Sequence, residues 1–142
     1  MQVQPYLFFE GRCEEAVAFY QRAIGAELIT MMRYQDNPEP QAGNGCMQAP
    51  PAGDKVMHMA MRIGATTVMG SDGRCEGKPA FQGFALSLNT PDEAAARKLF
   101  DALGDGGQVL MPLGRTFFSP AFGMVADRFG VSWMVLVAPD TP

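Results

Sequence analysis

The chain has 142 residues, 47% of them hydrophobic and 18% charged, which is enough for one globular domain with a buried core. Its net charge of −4 includes no basic run, which excludes the clustered positive surface that nucleic-acid phosphates require. The apolar stretches are far shorter than the roughly 20 residues of a membrane span, and Met1 leads into a strand-like segment rather than a signal peptide. We therefore expect a cytoplasmic protein that binds neither nucleic acid nor membrane.

The first half of the sequence predicts a strand, a helix and three further strands. The first strand is expected over residues 3–9. Apolar residues at helical spacing predict a helix from about Cys13 to Ile24, and Gly25 can adopt the left-handed conformation that ends a helix. Further strands are predicted at 27–34, 56–63 and 66–71.

Residues 35–54 differ in composition from the segments around them. They contain Pro38, Pro40, Pro50 and Pro51 together with several glycines. This pattern predicts a long loop, and loops of this length in compact domains are lids or disordered connections. Both alternatives stay open.

The second half repeats the same order of elements. A strand is predicted over 83–88, followed by a helix that ends at the glycines of 104–107. At the helix start, Thr90 is expected to cap and Glu93 to complete a capping box. Asp127 is expected to bond the backbone of the tight turn that it begins. Strands are predicted at 108–113, 122–126 and 132–137.

Each half is thus a βαβββ unit, and the helix-ending glycines Gly25 and Gly104 occupy equivalent places in the two copies. We predict an α+β fold in which two βαβββ modules form a curved mixed sheet with the helices outside. The chain is expected to be a single domain, residues 1–142, with module one at 1–72 and module two at 81–138. Unpaired sheet edges need cover, which predicts a homodimer.

The sulfur-containing residues give weaker signals. Cys13, Cys46 and Cys75 cannot all pair within the chain and lack metal-site spacing, which fits a reducing compartment. The single histidine could activate only one of them, so a nucleophilic cysteine is not predicted. Eleven methionines favour adaptable core packing, with a plastic apolar pocket as the alternative.

Several motifs spread over nearly the whole chain resemble those of one superfamily. The motifs are Phe19-Tyr20 before Ile24-Gly25, Met57-His58 before Arg62-Ile63-Gly64, Ser71-Asp72-Gly73, Phe81-Gln82-Gly83-Phe84, Phe118-Ser119-Pro120 before Phe122-Gly123-Met124, and Asp127-Arg128-Phe129-Gly130-Val131-Ser132-Trp133. With the duplication, they resemble the vicinal-oxygen-chelate superfamily of glyoxalase I, extradiol dioxygenases and bleomycin-resistance proteins. The closest resemblance is to its PhnB-like branch, also labelled 3-demethylubiquinone 3-methyltransferase-like. The resemblance implies the glyoxalase/bleomycin-resistance fold.

The resemblance also implies where a metal would bind. Metal-dependent members hold one divalent ion with His or Glu from the first and last strands of each module. Carried onto this chain, those positions fall on Pro5, Met69 or Gly70, Gly83 and Met134, and a shift of one residue brings in Tyr6, Ser71 or Phe84. None of these is His or Glu, and catalytic metals commonly need three protein ligands. We expect no cofactor, with a divalent metal kept as the alternative.

The predicted ligand-binding residues are His58, Ser71, Phe84, Phe117, Ser119 and Trp133, and no catalytic residue is assigned. For His58, a hydrogen-bonded structural role in its strand is favoured over a general base. Ser119 could begin a rim at the cavity mouth. Trp133 could either pack in the core or form the floor of an aromatic pocket with Phe84 and Phe117.

Metal-independent binding of a small molecule by a non-enzymatic relative is the leading hypothesis for function. The alternatives are a metal-dependent enzyme of the glyoxalase or dioxygenase type and a dimeric protein that sequesters a planar drug. Transfer of a methyl group from S-adenosylmethionine is not expected, because no glycine-rich turn follows a first parallel strand. Whether the chain is an enzyme stays open.

Overall fold

A computed structural model describes residues 1–36, 53–73 and 79–138. The chain divides into two compact units, Met1–Pro79 and Ala80–Pro142. Cys46, Cys75 and most of the predicted loop at 35–54 lie outside the described residues. In the described segments, no helix has the length and apolar character to cross a membrane.

The first unit contains one helix and a four-stranded sheet in its described part. Its elements are β1 (Tyr6–Phe8), α1 (Cys13–Ile24), β2 (Glu27–Arg33), a 3-10 turn (Tyr34–Asp36), β3 (Val56–Ile63) and β4 (Thr66–Ser71). The strand order is β1-β4-β3-β2, with β1 parallel to β4 and the other pairs antiparallel. The predicted helix and the strands at 56–63 and 66–71 are confirmed. Gly25 ends α1 with a left-handed φ of 70°.

The second unit has the same topology. Its elements are β5 (Leu86–Thr90), α2 (Glu93–Gly104), β6 (Gln108–Gly114), β7 (Phe122–Ala126) and β8 (Ser132–Val137). The strand order is β5-β8-β7-β6, and β5 is parallel to β8. Two mixed sheets of identical connectivity confirm the predicted α+β fold of βαβββ repeats.

One face of the first sheet is covered by α1. The ring of Phe9, directly after β1, lies 6.3 Å from the ring of Tyr20 on α1, measured between centroids. Gly70 in β4 is opposite both Leu7 and Met59, and a Cβ on it would meet the Met59 side chain at 2.9 Å. Leu7, Met59 and Gly70 therefore lie on the helix-covered face, and because side chains alternate along a strand, the residues next to them lie on the opposite face. We call that opposite side, with Tyr6, Phe8, His58 and Met69, the open face of the first sheet.

In the second unit α2 covers one sheet face in the same way. A Cβ on Gly123 of β7 would approach Phe100 of α2 to 2.7 Å. Val125 is two residues further along β7 on the same side, and Trp133 of β8 is directly opposite it. Trp133 is only 2% exposed and therefore packs in the core beneath α2.

The start of α2 differs from the predicted capping box. Thr90 is the last residue of β5, opposite Val137, and its hydroxyl donates to the carbonyl oxygen of Leu136. Asp92 is the N-cap residue, and its carboxylate accepts a 2.8 Å hydrogen bond from the Ala95 N–H. The prediction was wrong because β5 ends two residues later than expected, which keeps Thr90 within the sheet.

Buried Asp72 joins three elements of the first unit. Its carboxylate accepts hydrogen bonds from the N–H of Cys13, at 2.8 Å, and from the N–H of Val56, at 2.6 Å. Cys13 is the first residue of α1, whose N-cap residue Arg12 makes no side-chain capping bond. Asp72 therefore caps α1 from the end of β4. Burial, together with the charges of Asp72 and Glu14, raises the pKa of the Cys13 thiol.

Asp127 has a corresponding role in the second unit. One carboxylate oxygen accepts from the N–H groups of Phe129 and Val131, at 2.9 and 3.1 Å, which confirms the predicted turn. The other accepts from the indole N–H of Trp133 at 2.8 Å. Asp127 is 3% exposed, so the turn between β7 and β8 is organised around a buried carboxylate.

Candidate ligand-binding face

An aromatic cluster of Tyr6, Phe8 and His58 lies on the open face of the first sheet. The Tyr6 ring is 5.0 Å from Phe8 and 5.6 Å from His58 between centroids. The phenol oxygen of Tyr6 and Nδ1 of His58 are 3.2 Å apart. Phe8 is 53% and Tyr6 36% exposed, so the cluster presents apolar ring surface to solvent.

Strand geometry explains why these side chains meet. In β1, Leu7 is buried against the helix side, so Tyr6 and Phe8 on either side of it point to the open face. Tyr6 is opposite Met69 in β4, and its phenol reaches over β4 to His58 in β3. The phenol either donates to a neutral imidazole nitrogen or accepts from a ring N–H, depending on the tautomer.

The six predicted ligand-binding residues occupy different environments. His58 belongs to the aromatic cluster, and buried Ser71, opposite Phe8, accepts a hydrogen bond from the Gly73 N–H. These two lie in the first unit, whereas Phe84, Phe117, Ser119 and Trp133 lie in the second.

Among those four, the aromatic residues differ sharply in exposure. Phe84 is 45% exposed just before β5, and Phe117 is fully exposed in the loop between β6 and β7. Trp133 occupies the core, which is one of its two predicted environments.

Ser119 lies beneath the surface of the β6–β7 loop rather than at a rim. Its hydroxyl oxygen is 2.7 Å from the carbonyl oxygens of both Ala121 and Val137, so its one proton is used within the protein.

Tyr6 and Phe8 were missed as ligand-binding candidates in the sequence. The resemblance offers Tyr6 only as an alternative metal position, and the sequence predicts Phe8 only as part of the first strand. The signal that could have found them is alternation: the run Tyr6-Leu7-Phe8 has one buried central residue, which leaves two aromatic rings on the other side.

The residues at the metal positions do not fit the His/Glu-held divalent ion that the resemblance implies. Tyr6 is opposite Met69 in the first unit, and Ser87 is opposite Met134 in the second. Pro5 and Gly83 were both expected in first strands, but they precede β1 and β5, which begin at Tyr6 and Leu86. A phenol, a hydroxyl and two thioethers lack the imidazole and carboxylate donors, and thioethers suit soft ions such as Cu(I). In residues 1–36, 53–73 and 79–138, no group of three His, Cys, Asp or Glu could hold a metal ion.

Comparisons with known proteins agree along the whole chain. Residues 1–136 match the family model of 3-demethylubiquinone-9 3-methyltransferase. Protein YjdN of Escherichia coli K12 is 35% identical over 147 residues, covering 100% of this chain and 99% of that protein. The crystal structure of PA1353 from Pseudomonas aeruginosa is 39% identical, with a TM-score of 0.82 and 99% of both chains covered. The PhnB protein structure from Bacillus cereus is 27% identical, with a TM-score of 0.77, and covers 97% of this chain and 100% of that one.

More distant solved structures share the fold. A glyoxalase-related enzyme from Fulvimarina pelagi is 20% identical with a TM-score of 0.60 and covers 100% of this chain and 91% of that one. This likeness and the shared topology confirm the predicted glyoxalase/bleomycin-resistance fold.

Proposed function

The chain belongs to the PhnB-like 3-demethylubiquinone-9 3-methyltransferase family, and from that premise we propose that it binds a small planar aromatic molecule without a metal. The binding surface is the open face of the first sheet. The observation that carries the proposal is the solvent-exposed cluster of Tyr6, Phe8 and His58.

The chemistry of the cluster favours a flat ligand with one polar group. Rings of Tyr6 and Phe8 offer apolar surface, and offset or edge-on aromatic contacts contribute about 0.5–1.5 kcal/mol each beyond burial. The Tyr6–His58 pair supplies a hydrogen-bonding group next to the rings, since both the phenol and the imidazole have further donor or acceptor capacity. An apolar surface with few polar groups is typical of small-molecule sites.

The sheet topology favours binding over methyl transfer despite the family's description. The common S-adenosylmethionine-dependent fold uses a doubly wound, mostly parallel sheet. Each described sheet here has four strands, of which a single adjacent pair is parallel. The donor set at the metal positions likewise supports a metal-independent site.

The distribution of methionines provides the test. In protein labelled with 13C at the methionine methyls, 2-naphthol should shift the signals of Met69 and Met32, which pairs with His58 on the open face. Met59 and Met61 are fully buried on the helix-covered side and serve as internal controls. The same titration after dialysis against EDTA should give the same affinity.

Phe8→Ala should weaken binding of 2-naphthol about fivefold, because it removes one exposed ring from the cluster. Phe117→Ala is the matched control, since it also removes an exposed ring but in the second unit. Equal weakening by both variants, shifts confined to other methionines, or loss of binding with EDTA would contradict the proposal.

We also propose a homodimer and a cytoplasmic location. The dimer is supported by the edge strand β6, where Val109, Leu110 and Met111 are about half exposed. Sedimentation equilibrium at micromolar concentration measures the mass directly. The location rests on three cysteines that cannot all pair within the chain.

A further inference from the structure

A cleft of about 440 Å³ opens in the second unit and is lined by residues of that unit alone. One wall is the N-terminal part of α2, with Glu93 and Arg97. The other consists of the end of β6, Arg115, and the loop residues Pro120 and Ala121. Its volume falls in the range of small-molecule sites.

Two arginines from different elements line the cleft. Arg97 comes from α2, and Arg115 directly follows β6. The nearest described carboxylate partner of Arg97 is Asp101 at 3.9 Å, and both side chains are more than half exposed. Such a pair is worth little, so Arg97 can engage another anion at small cost. Glu93 is the one carboxylate in the lining, which leaves an excess positive charge.

The loop wall of the cleft is fixed by hydrogen bonds. The Thr116 N–H donates to the carbonyl oxygen of Ser119 at 2.9 Å, and the Ser119 N–H donates back to the Thr116 hydroxyl at 3.1 Å. The buried Ser119 hydroxyl contacts the carbonyl oxygens of Ala121 and Val137. Pro120 and Ala121 are therefore held against β8 rather than carried on a loose loop, so the wall exists before any ligand arrives.

We propose that this cleft binds a small organic anion bearing a carboxylate or a phosphate group. The planar guanidinium fork matches both groups and binds them through charge-assisted hydrogen bonds. The site uses none of the residues of the open face of the first sheet, so it is a second site beyond the function proposed above.

Titrations with inorganic phosphate and with succinate test the proposal. Arginine Nε–H signals are followed by NMR while sodium chloride keeps the ionic strength constant, which separates binding from screening. The signals of Arg97 and Arg115 should shift and saturate with at least one anion. The tighter-bound anion then identifies the ligand class.

Four variants sharpen the outcome. Arg97→Gln and Arg115→Gln should each weaken binding about five- to tenfold, because each removes a charged donor. Glu93→Gln should tighten it about threefold by removing the opposing charge. Lys98→Gln is the control, since Lys98 is an exposed cation on the same helix outside the cleft lining.

Two results would overturn the proposal. The first is the absence of a saturable shift with either anion up to about 20 mM, a concentration that would saturate a site of millimolar affinity. The second is a loss of anion affinity in Lys98→Gln as large as the loss in Arg115→Gln. Dispersed NMR spectra of all four variants establish that each is folded.

Discussion

Replacing Asp127 with Ala should lower the free energy of unfolding of the second unit by about 3–5 kcal/mol. The substitution leaves three donors without their acceptor: the N–H groups of Phe129 and Val131, and the indole N–H of Trp133. The site is buried, so water cannot replace the carboxylate without opening the turn between β7 and β8. This is a larger effect than the loss of any ion pair at the protein surface.

Urea unfolding followed by Trp133 fluorescence measures the change, because this is the only tryptophan. Asp127→Asn should cost less, since its amide oxygen still accepts from the turn. Asp105→Ala is the control: its carboxylate also has a partner, Arg128, but the side chain is 77% exposed, and the expected loss is below about 1 kcal/mol. A similarly small loss for Asp127→Ala would show that the turn forms without its carboxylate.

Asp72→Ala should cost the first unit about 3 kcal/mol. It removes the acceptor of the Cys13 and Val56 N–H groups, so α1 loses its only described side-chain cap and the start of β3 loses its anchor. Urea unfolding monitored by far-ultraviolet circular dichroism measures the loss. The exposed residue Asp54 provides the control substitution, Asp54→Ala, with an expected change within about 0.5 kcal/mol.

The thiol of Cys13 gives a local readout of the same change. In a Cys46→Ser, Cys75→Ser background it is the sole thiol, and its burial and raised pKa predict negligible reaction with a thiol reagent at pH 8. Adding Asp72→Ala removes one cause of the raised pKa and loosens the helix end, so the reaction should accelerate. An unchanged rate would mean that α1 keeps its first turn without Asp72.

Much of the fold could be predicted because local signals agreed with tertiary structure. The helix at 13–24 ends at a glycine that can be left-handed, and the strands at 56–63 and 66–71 are separated by a turn at Gly64, whose φ of 58° favours glycine. The first strand of the second unit was misplaced because Gly83-Phe84 continues an apolar run. Gly83 has a φ of +82°, which a β-strand does not allow, and a sequence cannot show a dihedral angle.

The candidate site was predicted only in part. His58 could be predicted as a candidate because it is the single histidine of the sequence, but its partner Tyr6 is 52 positions away. They come together only because β4 pairs with β1 on one side and with β3 on the other. Trp133 could not be assigned to core or pocket, because its indole N–H needs a buried acceptor and only the folded turn supplies Asp127.

The place of β1 in its sheet has a consequence for how the protein is made. β1 is an edge strand of the described sheet, and its partner β4 is the last strand of the same unit in sequence. By contrast, β2 pairs with β3 and β3 pairs with β4, each with the next strand along the chain. Pairing β1 with β4 closes a longer segment of chain than pairing consecutive strands, and closing a longer segment costs more conformational entropy. We therefore expect β1 to dock last, after β4 has left the ribosome. Because β1 carries Tyr6 and Phe8, the aromatic cluster exists only in the completed unit. A ligand held there would favour that completed state over partly folded chains.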